Sequence, residues 1–131
     1  MRMDPQTLKY TREHEWVGIV HGDEALVGIT NYAQDQLGDV VYVDLPVEGT
    51  GIMQHEKFGE IESVKSVSDL FAPVSSEVLE ANTALKDHPE LVNQDPYGEG
   101  WMLRVRLSDR RELESLMSLE EYERMLEQEK S

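Results

Sequence analysis

The apolar residues of this chain fall in short segments closed by turn-forming residues, a pattern that favours β-strands over long helices. Residues 16–20 and 25–29 are two such segments, and Gly22-Asp23 between them is a hairpin turn signal. Further strand-like segments lie at residues 40–45, within 57–81 and at 101–107. The sequence therefore predicts a mainly β protein of about seven strands, arranged as a small sandwich or barrel-like fold.

One helix signal interrupts the strands. Thr30 or Asn31 can cap a short helix that runs through Leu37, and Gly38 is a suitable residue to end it. Later in the chain, residues 86–100 are rich in proline, glycine, asparagine and aspartate. Because these residues favour turns, this stretch predicts a loop.

The C-terminal part, residues 109–129, changes to a helical period. Leu113 and Leu116 are three positions apart, as on one face of a helix, and later apolar residues repeat such spacing. Ser118 and Glu121 have the spacing of a capping box. This tail therefore predicts two short helices.

The length and charge of the chain limit its partners. At 131 residues it has the size of one domain. Its formal net charge of −15 argues against binding to nucleic acid, because duplex affinity depends on lysine and arginine that neutralise phosphates. The same charge disfavours docking on an anionic membrane surface.

The chain contains no cysteine. Disulfides, thiolate metal sites and cysteine nucleophiles are therefore absent, and any redox chemistry would have to arrive on a cofactor. The four histidines are too dispersed for a local metal-binding spacing, so no metal site is predicted. The first residues do not have the pattern of a secretory signal, which predicts a cytoplasmic protein, although a processed organellar protein would look the same.

One lysine stands in a distinctive place. Lys65 lies between two strand-like segments, among small serines and flanked by Glu62 and Asp69. A lysine at an exposed turn is an accessible amine on a flexible stem, suited to covalent modification. On its own, however, such a lysine is usually just a solvated side chain.

The residues around Lys65 resemble the lipoyl-attachment hairpin of the glycine cleavage system H proteins. The resemblance continues in order along nearly the whole chain from about residue 10. The matching blocks include Glu62-Ser63-Val64-Lys65, Ala72-Pro73-Val74-Ser75, His14-Glu15-Trp16-Val17, Leu37-Gly38-Asp39-Val40-Val41, Asp44-Leu45-Pro46 and Asp95-Pro96-Tyr97-Gly98.

This resemblance implies a carrier protein that is not an enzyme and has no catalytic residues. It implies that lipoate is attached covalently to Lys65, as a swinging arm that serves glycine catabolism and one-carbon metabolism. The implied partners are a pyridoxal-phosphate glycine decarboxylase, a tetrahydrofolate-dependent aminomethyltransferase and an FAD-containing dihydrolipoamide dehydrogenase. A lipoate ligase or a lipoyl/octanoyl transferase would attach the arm. The sulfur that the chain lacks would then come with the cofactor.

The resemblance also implies a fold and a set of site residues. The fold is a small barrel-sandwich hybrid of the lipoyl type, with short helices that include a C-terminal helical segment. Residues 1–131 would form one lipoyl-carrier domain, with the lipoyl hairpin at about 57–81. The flanks of the attachment motif are Glu62, Ser63, Val64 and Asp69. In the family the loaded arm folds back into a cleft, and Glu15 and Asp69 match its acidic lining.

Two departures from the family pattern bear on the hairpin. Ser76 stands where the family usually has glycine in a turn, and serine adopts strained turn geometry less readily than glycine. Ser66-Val67 follows the lysine where alanine or threonine is commoner. Both departures put the efficiency of lipoylation in question.

Two other functions stay open on the sequence. The same scaffold could relay lipoyl or octanoyl groups to 2-oxoacid dehydrogenase complexes, since this role also needs only an acylated Lys65. Alternatively, it could be an unmodified H-like interaction module. A biotinyl carrier fits less well, because Val64 and Ser66 flank the lysine where that hairpin typically has methionines. A monomer suits a carrier that presents one arm to several enzymes.

Overall fold

The computed structural model describes residues 2–129, and within them the chain is built mainly of antiparallel strands. The strands are β1 Lys9–Tyr10, β2 Glu15–His21, β3 Glu24–Ile29, β4 Val40–Asp44, β5 Gly51–Ile52, β6 Lys57–Ser63, β7 Val67–Phe71, β8 Ser76–Ala81 and β9 Leu103–Leu107. The α-helices are α1 Asn31–Leu37, α2 Ala84–Asp87, α3 Leu91–Gln94 and α4 Leu119–Glu129, and two 3-10 helices cover Pro5–Thr7 and Arg110–Ser115.

The strands form two sheets. One has six strands in the order β1-β2-β3-β9-β8-β5, and the other has three in the order β4-β6-β7. Gly22, at a φ of 57°, lies in the predicted turn of the β2–β3 hairpin. The expectation of a mainly β fold with short helices is therefore confirmed. The seven predicted strands are present, and β1 and β5, of two residues each, are additional because so short a strand leaves no alternating pattern.

The predicted helix after β3 is also confirmed. The Thr30 hydroxyl accepts a hydrogen bond from the amide of Ala33 at 3.2 Å, so Thr30 is the cap and Asn31 is the first helical residue. Gly38 ends α1 at a φ of 78°, a conformation that favours glycine. This ending turns the chain directly into β4.

The loop prediction for residues 86–100 was wrong in part. The single-turn helices α2 and α3 occupy residues 84–87 and 91–94, where they bury Leu85 and Val92. A single turn shows no helical period, so tertiary burial and not local pattern selects it. Strand β9 likewise begins at Leu103, two residues later than predicted.

Two helical segments close the chain, as predicted. The first is a 3-10 helix and the second, α4, buries Tyr122 and Met125 against the sheet. The predicted capping box is present: Glu121 N–H donates to the Ser118 hydroxyl at 3.2 Å, and Ser118 N–H donates to the Glu121 carboxylate at 2.9 Å. The Tyr122 ring stacks on Tyr10 at 4.8 Å, which joins α4 to strand β1.

Candidate functional site: a lysine turn beside an acidic cleft

Lys65 lies at the apex of the β6–β7 hairpin. Glu62 pairs with Val67, so the four residues of the turn are 63–66. The Ser63 hydroxyl accepts hydrogen bonds from the amides of Lys65 and Ser66 at 3.2 and 3.1 Å. Ser63 therefore shapes the turn from its own side chain. The Lys65 side chain is exposed, and within residues 2–129 its Nζ makes no hydrogen bond or ion pair.

The turn is fixed to the body of the protein at the α1–β4 junction. Val64 N–H donates to the Asp39 carbonyl at 3.0 Å. The stem of Lys65 lies over Gly38, where an added Cβ would come within 2.9 Å of the lysine Cε. Asn93 holds this junction in place, since its amide donates to the Gly38 carbonyl at 2.9 Å and its carbonyl accepts from Val40 N–H at 2.9 Å. The turn is thus anchored to the body of the protein while the Lys65 amine stays free.

A cleft of about 260 Å³ opens beside the hairpin, between the start of β2, helix α1 and strand β7. Its walls are partly apolar, with Ile29, Ile61 and Leu70 among them. Ser68 and Asp69 contribute from the hairpin. They follow Lys65 by three and four residues, so at about 3.3 Å per residue the cleft begins at most about 13 Å from the lysine.

Glu15 is the buried acid of this cleft, with only 1% of its surface exposed. Thr11 donates its hydroxyl to one carboxylate oxygen at 2.7 Å, and Phe71 N–H donates to the other at 3.2 Å. Burial raises the pKa of Glu15 to about 7, because these two bonds only partly offset the loss of water. Near neutral pH this carboxyl is therefore divided between its neutral and charged forms.

Asp69 lies at the rim of the same cleft and is about half exposed. Its carboxylate forms an ion pair with Lys57 at 3.1 Å, and Lys57 also pairs with Glu60 at 2.8 Å. Glu15 and Asp69 thus both line the cleft, but Asp69 alternates with Ser68 along β7, so its carboxylate lies at the outer edge with Lys57. Glu15 is desolvated and held by neutral donors, whereas Asp69 is solvated and partly neutralised.

Glu13 and His14 also line the cleft, and no pattern in the sequence selects them. Glu13 lies at the surface beside Glu15. His14 has a φ of 71°, its ring lies 4.9 Å from that of Tyr32, and its Nδ1 is hydrogen-bonded to the Tyr122 hydroxyl at 2.8 Å. The one available signal was that both residues adjoin Glu15 in the sequence. The backbone turns at His14, where φ is positive, and Glu13, His14 and Glu15 all line the cleft.

The two departures near the hairpin differ in their consequences. Ser76 is not in a turn: it is the first residue of β8, and its φ is not positive. The expected penalty of turn geometry therefore does not apply, although its buried hydroxyl has no partner among the described residues. Ser66 and Val67 are both exposed and leave the lysine accessible.

Comparisons with known proteins agree with this geometry. A family model described as "Glycine cleavage H-protein" matches residues 8–129. This chain belongs to the glycine cleavage H-protein family. Members of this family are the lipoyl carriers of the glycine cleavage system, which confirms the resemblance, the lipoyl-type fold and the carrier function expected from the sequence.

Individual relatives cover nearly the whole chain. The glycine cleavage system H protein of Rubrobacter xylanophilus is 60% identical over 125 residues, which is 95% of this chain and 96% of that protein. The H protein of Halothermothrix orenii is 55% identical over 124 residues, 95% and 96% of the two chains. A crystal structure of the Mycobacterium marinum H protein superposes with a TM-score of 0.81 at 40% identity and covers 91% of this chain and 95% of that one.

As an H-protein family member, the chain is a carrier component that works with the other proteins of the glycine cleavage system. Lipoate is the group that the family carries. Among residues 2–129, every helix is too short or too polar to span a lipid bilayer.

Proposed function

We propose that Lys65 carries the lipoyl group and that this chain serves glycine cleavage through it. The observation that supports the assignment is the anchored turn that presents a free, exposed amine, flanked by Glu62, Ser63 and Val64 of the family motif. The lipoyl group supplies the sulfur chemistry on which the aminomethyl group of glycine is carried. The chain supplies the attachment point and the cleft.

The cleft is proposed to hold the loaded end of the arm. Its apolar walls suit a hydrocarbon chain, while Glu15 and Asp69 suit an ammonium group. A cation beside Glu15 would replace part of the hydration that burial removes, so it would lower the pKa of that carboxyl and favour its charged form. Binding of the cation would therefore release a proton at pH values between this lowered pKa and about 7. Asp69, at the rim, would guide the cation inward.

The individual partner enzymes follow from the same role. We propose docking in turn to glycine decarboxylase, the aminomethyltransferase and dihydrolipoamide dehydrogenase, after a lipoate ligase or lipoyl/octanoyl transferase has acted on Lys65. The chain is proposed to act without catalytic residues of its own, as one domain and as a monomer in the cytoplasm. Neither Glu15 nor Asp69 is assigned a role as an acid or base in a reaction, because each is proposed only to bind the ammonium group.

The test is replacement of the attachment lysine, Lys65→Arg, with Lys86→Arg on helix α2 as the matched control. Intact-mass analysis with fragmentation should locate one lipoyl group on Lys65 in the native chain and in the control, and none in Lys65→Arg. In a reconstituted system, Lys65→Arg should abolish glycine decarboxylation and CO2 exchange. Undiminished activity of Lys65→Arg, or a native chain that stays unmodified where other proteins are lipoylated, would refute the proposal.

A further inference from the structure

The three-stranded sheet has an outer face, opposite the cleft, which the carrier function does not explain. Strand pairing places Tyr42 opposite Glu62 and Glu62 opposite Val67, so these three side chains form one row. The next row along the strands, Val43, Ile61 and Ser68, points to the other side. There Val43 and Ile61 are buried, and Ile61 and Ser68 line the cleft. Tyr42 and Val67 therefore face solvent, away from the cleft.

Exposed apolar side chains concentrate at this end of the sheet. Among residues 2–129, seven large apolar residues are well exposed, and four of them lie in the lysine turn or in the strands next to it. These four, here named the apex patch, are Val41 and Tyr42, each 50% exposed, Val64, 68% exposed, and Val67, 59% exposed. Single exposed apolar residues need no explanation, but a group of them around one exposed amine indicates an interaction surface.

The charge beside the apex patch is negative. Asp39 and Glu62 adjoin the patch, and Asp44 follows Tyr42 on the same outer face. Within the described chain, these three carboxylates form no ion pair, whereas Lys57 partly neutralises the Glu60 and Asp69 carboxylates further along the same sheet. A partner that fits this surface has an apolar contact area bordered by lysine and arginine. A second copy of this chain would bring acidic groups against acidic groups.

We propose that the apex patch is the docking surface for the enzyme that acylates Lys65. This inference rests on the proposed function of Lys65. An enzyme that uses the finished arm can receive its end at a distance from the turn. The acylating enzyme must instead bring an acyl carbon to the lysine Nζ itself, so its surface covers the residues around the turn.

The reaction sets this geometry. A lipoyl or octanoyl group, activated as an adenylate or a thioester, forms an amide bond with the Lys65 Nζ. The bond from the acyl carbon to the adenylate phosphate or thiol breaks, and the amine loses a proton. Because the lysine stem lies over Gly38, an enzyme that reaches Nζ also approaches the α1–β4 junction. Apolar contacts with Tyr42, Val64 and Val67 would hold the turn while the amide bond forms.

The test is the double variant Tyr42→Thr with Val67→Thr, which places a β-branched residue, favoured in strands, at both positions. Ile19→Thr is the matched control, since Ile19 is 38% exposed on β2 in the other sheet. Attachment of lipoate to each purified, unmodified protein is measured with a lipoate ligase, ATP and lipoate. We expect kcat/KM to fall at least tenfold for the double variant, mainly through KM, and to change less than twofold for Ile19→Thr. Added salt should weaken attachment to the native chain.

Each variant is then loaded to completion with excess ligase and assayed in glycine cleavage. The double variant should match the native holoprotein within about twofold, because the arm and the cleft are intact. An unchanged kcat/KM for attachment would overturn the proposal, and so would an equal loss in both assays, which would assign the patch to the arm-using enzymes or to folding. Failure of the proposed function is distinguishable, because the native chain itself would then take no lipoyl group on Lys65.

Discussion

At the scale of the residue, Glu15 makes the stability of the protein depend on pH. Its pKa rises on folding from an ordinary 4.5 to about 7, so between these values the folded chain holds a proton that the unfolded chain has lost. The contribution of Glu15 to the free energy of unfolding therefore falls as pH rises through this window and is constant above it. The full loss is about 3 kcal/mol.

Glu15→Gln should remove this dependence. Glutamine cannot accept both hydrogen bonds, which costs about 1–2 kcal/mol, so the variant should be less stable than the native chain at pH 4.5 and about 1–2 kcal/mol more stable at pH 8. Urea unfolding at a series of pH values, on both proteins, measures the difference. Glu13→Gln, at the exposed neighbouring position, should show no such crossover. A difference between Glu15→Gln and native that stays constant with pH would contradict the argument.

At the scale of the element, the sequence predicts what is encoded locally. The seven longer strands follow from apolar segments, and α1 follows from Thr30 at its start and Gly38 at its end. The turn at Lys65 was predictable because its four residues are consecutive in sequence and belong to a family motif. The local pattern could not predict α2 and α3, because these helices form where Leu85 and Val92 are buried in the core.

The cleft was likewise beyond local pattern. Its acids were chosen through the family resemblance, and nothing in the sequence indicates that Glu15 is desolvated while Asp69 pairs with Lys57. Such differences arise from the packing of β2 against β7 and from α4, distant in sequence. The Tyr122 hydroxyl shows this most directly, because it bonds both Thr30 at 2.8 Å and His14 at 2.8 Å across about ninety or more residues of chain.

Helix α4 should therefore brace the cleft through Tyr122. Tyr122→Phe keeps the stacking on Tyr10 but removes a buried hydroxyl that serves two partners, so we expect a loss of about 1–2 kcal/mol in the free energy of unfolding. Because His14 and Thr30 lose a common anchor, amide exchange should also accelerate in residues 11–15. The matched control is Tyr42→Phe, because the Tyr42 side chain is half exposed and its hydroxyl makes no hydrogen bond within residues 2–129. This control should leave the free energy of unfolding and the amide exchange unchanged. Equal effects of the two variants would contradict a bracing role.

At the scale of the whole molecule, the charge of −15 acts in opposite directions on stability and on partner binding. Like charges repel within the folded chain, so salt should stabilise it. Salt also weakens the surface ion pairs, but each of these contributes little to the free energy of unfolding. Attraction to a basic partner should weaken under the same screening, because the Debye length falls from about 30 Å at 0.01 M to about 8 Å at 0.15 M salt.

Raising NaCl over this range should therefore increase the melting temperature by a few degrees while it slows association with a lipoate ligase at least several-fold. Thermal unfolding and stopped-flow association on the same samples measure the two effects. Reversing two exposed charges away from the lysine turn, Glu48→Lys and Glu114→Lys, should reduce the effect of salt on melting. It should leave most of the effect on association, if the carboxylates beside the apex patch dominate encounter. The contrary result is that salt raises both the melting temperature and the association rate, or lowers both. Net charge would then not govern both quantities, and local contacts at the apex patch would have to account for binding.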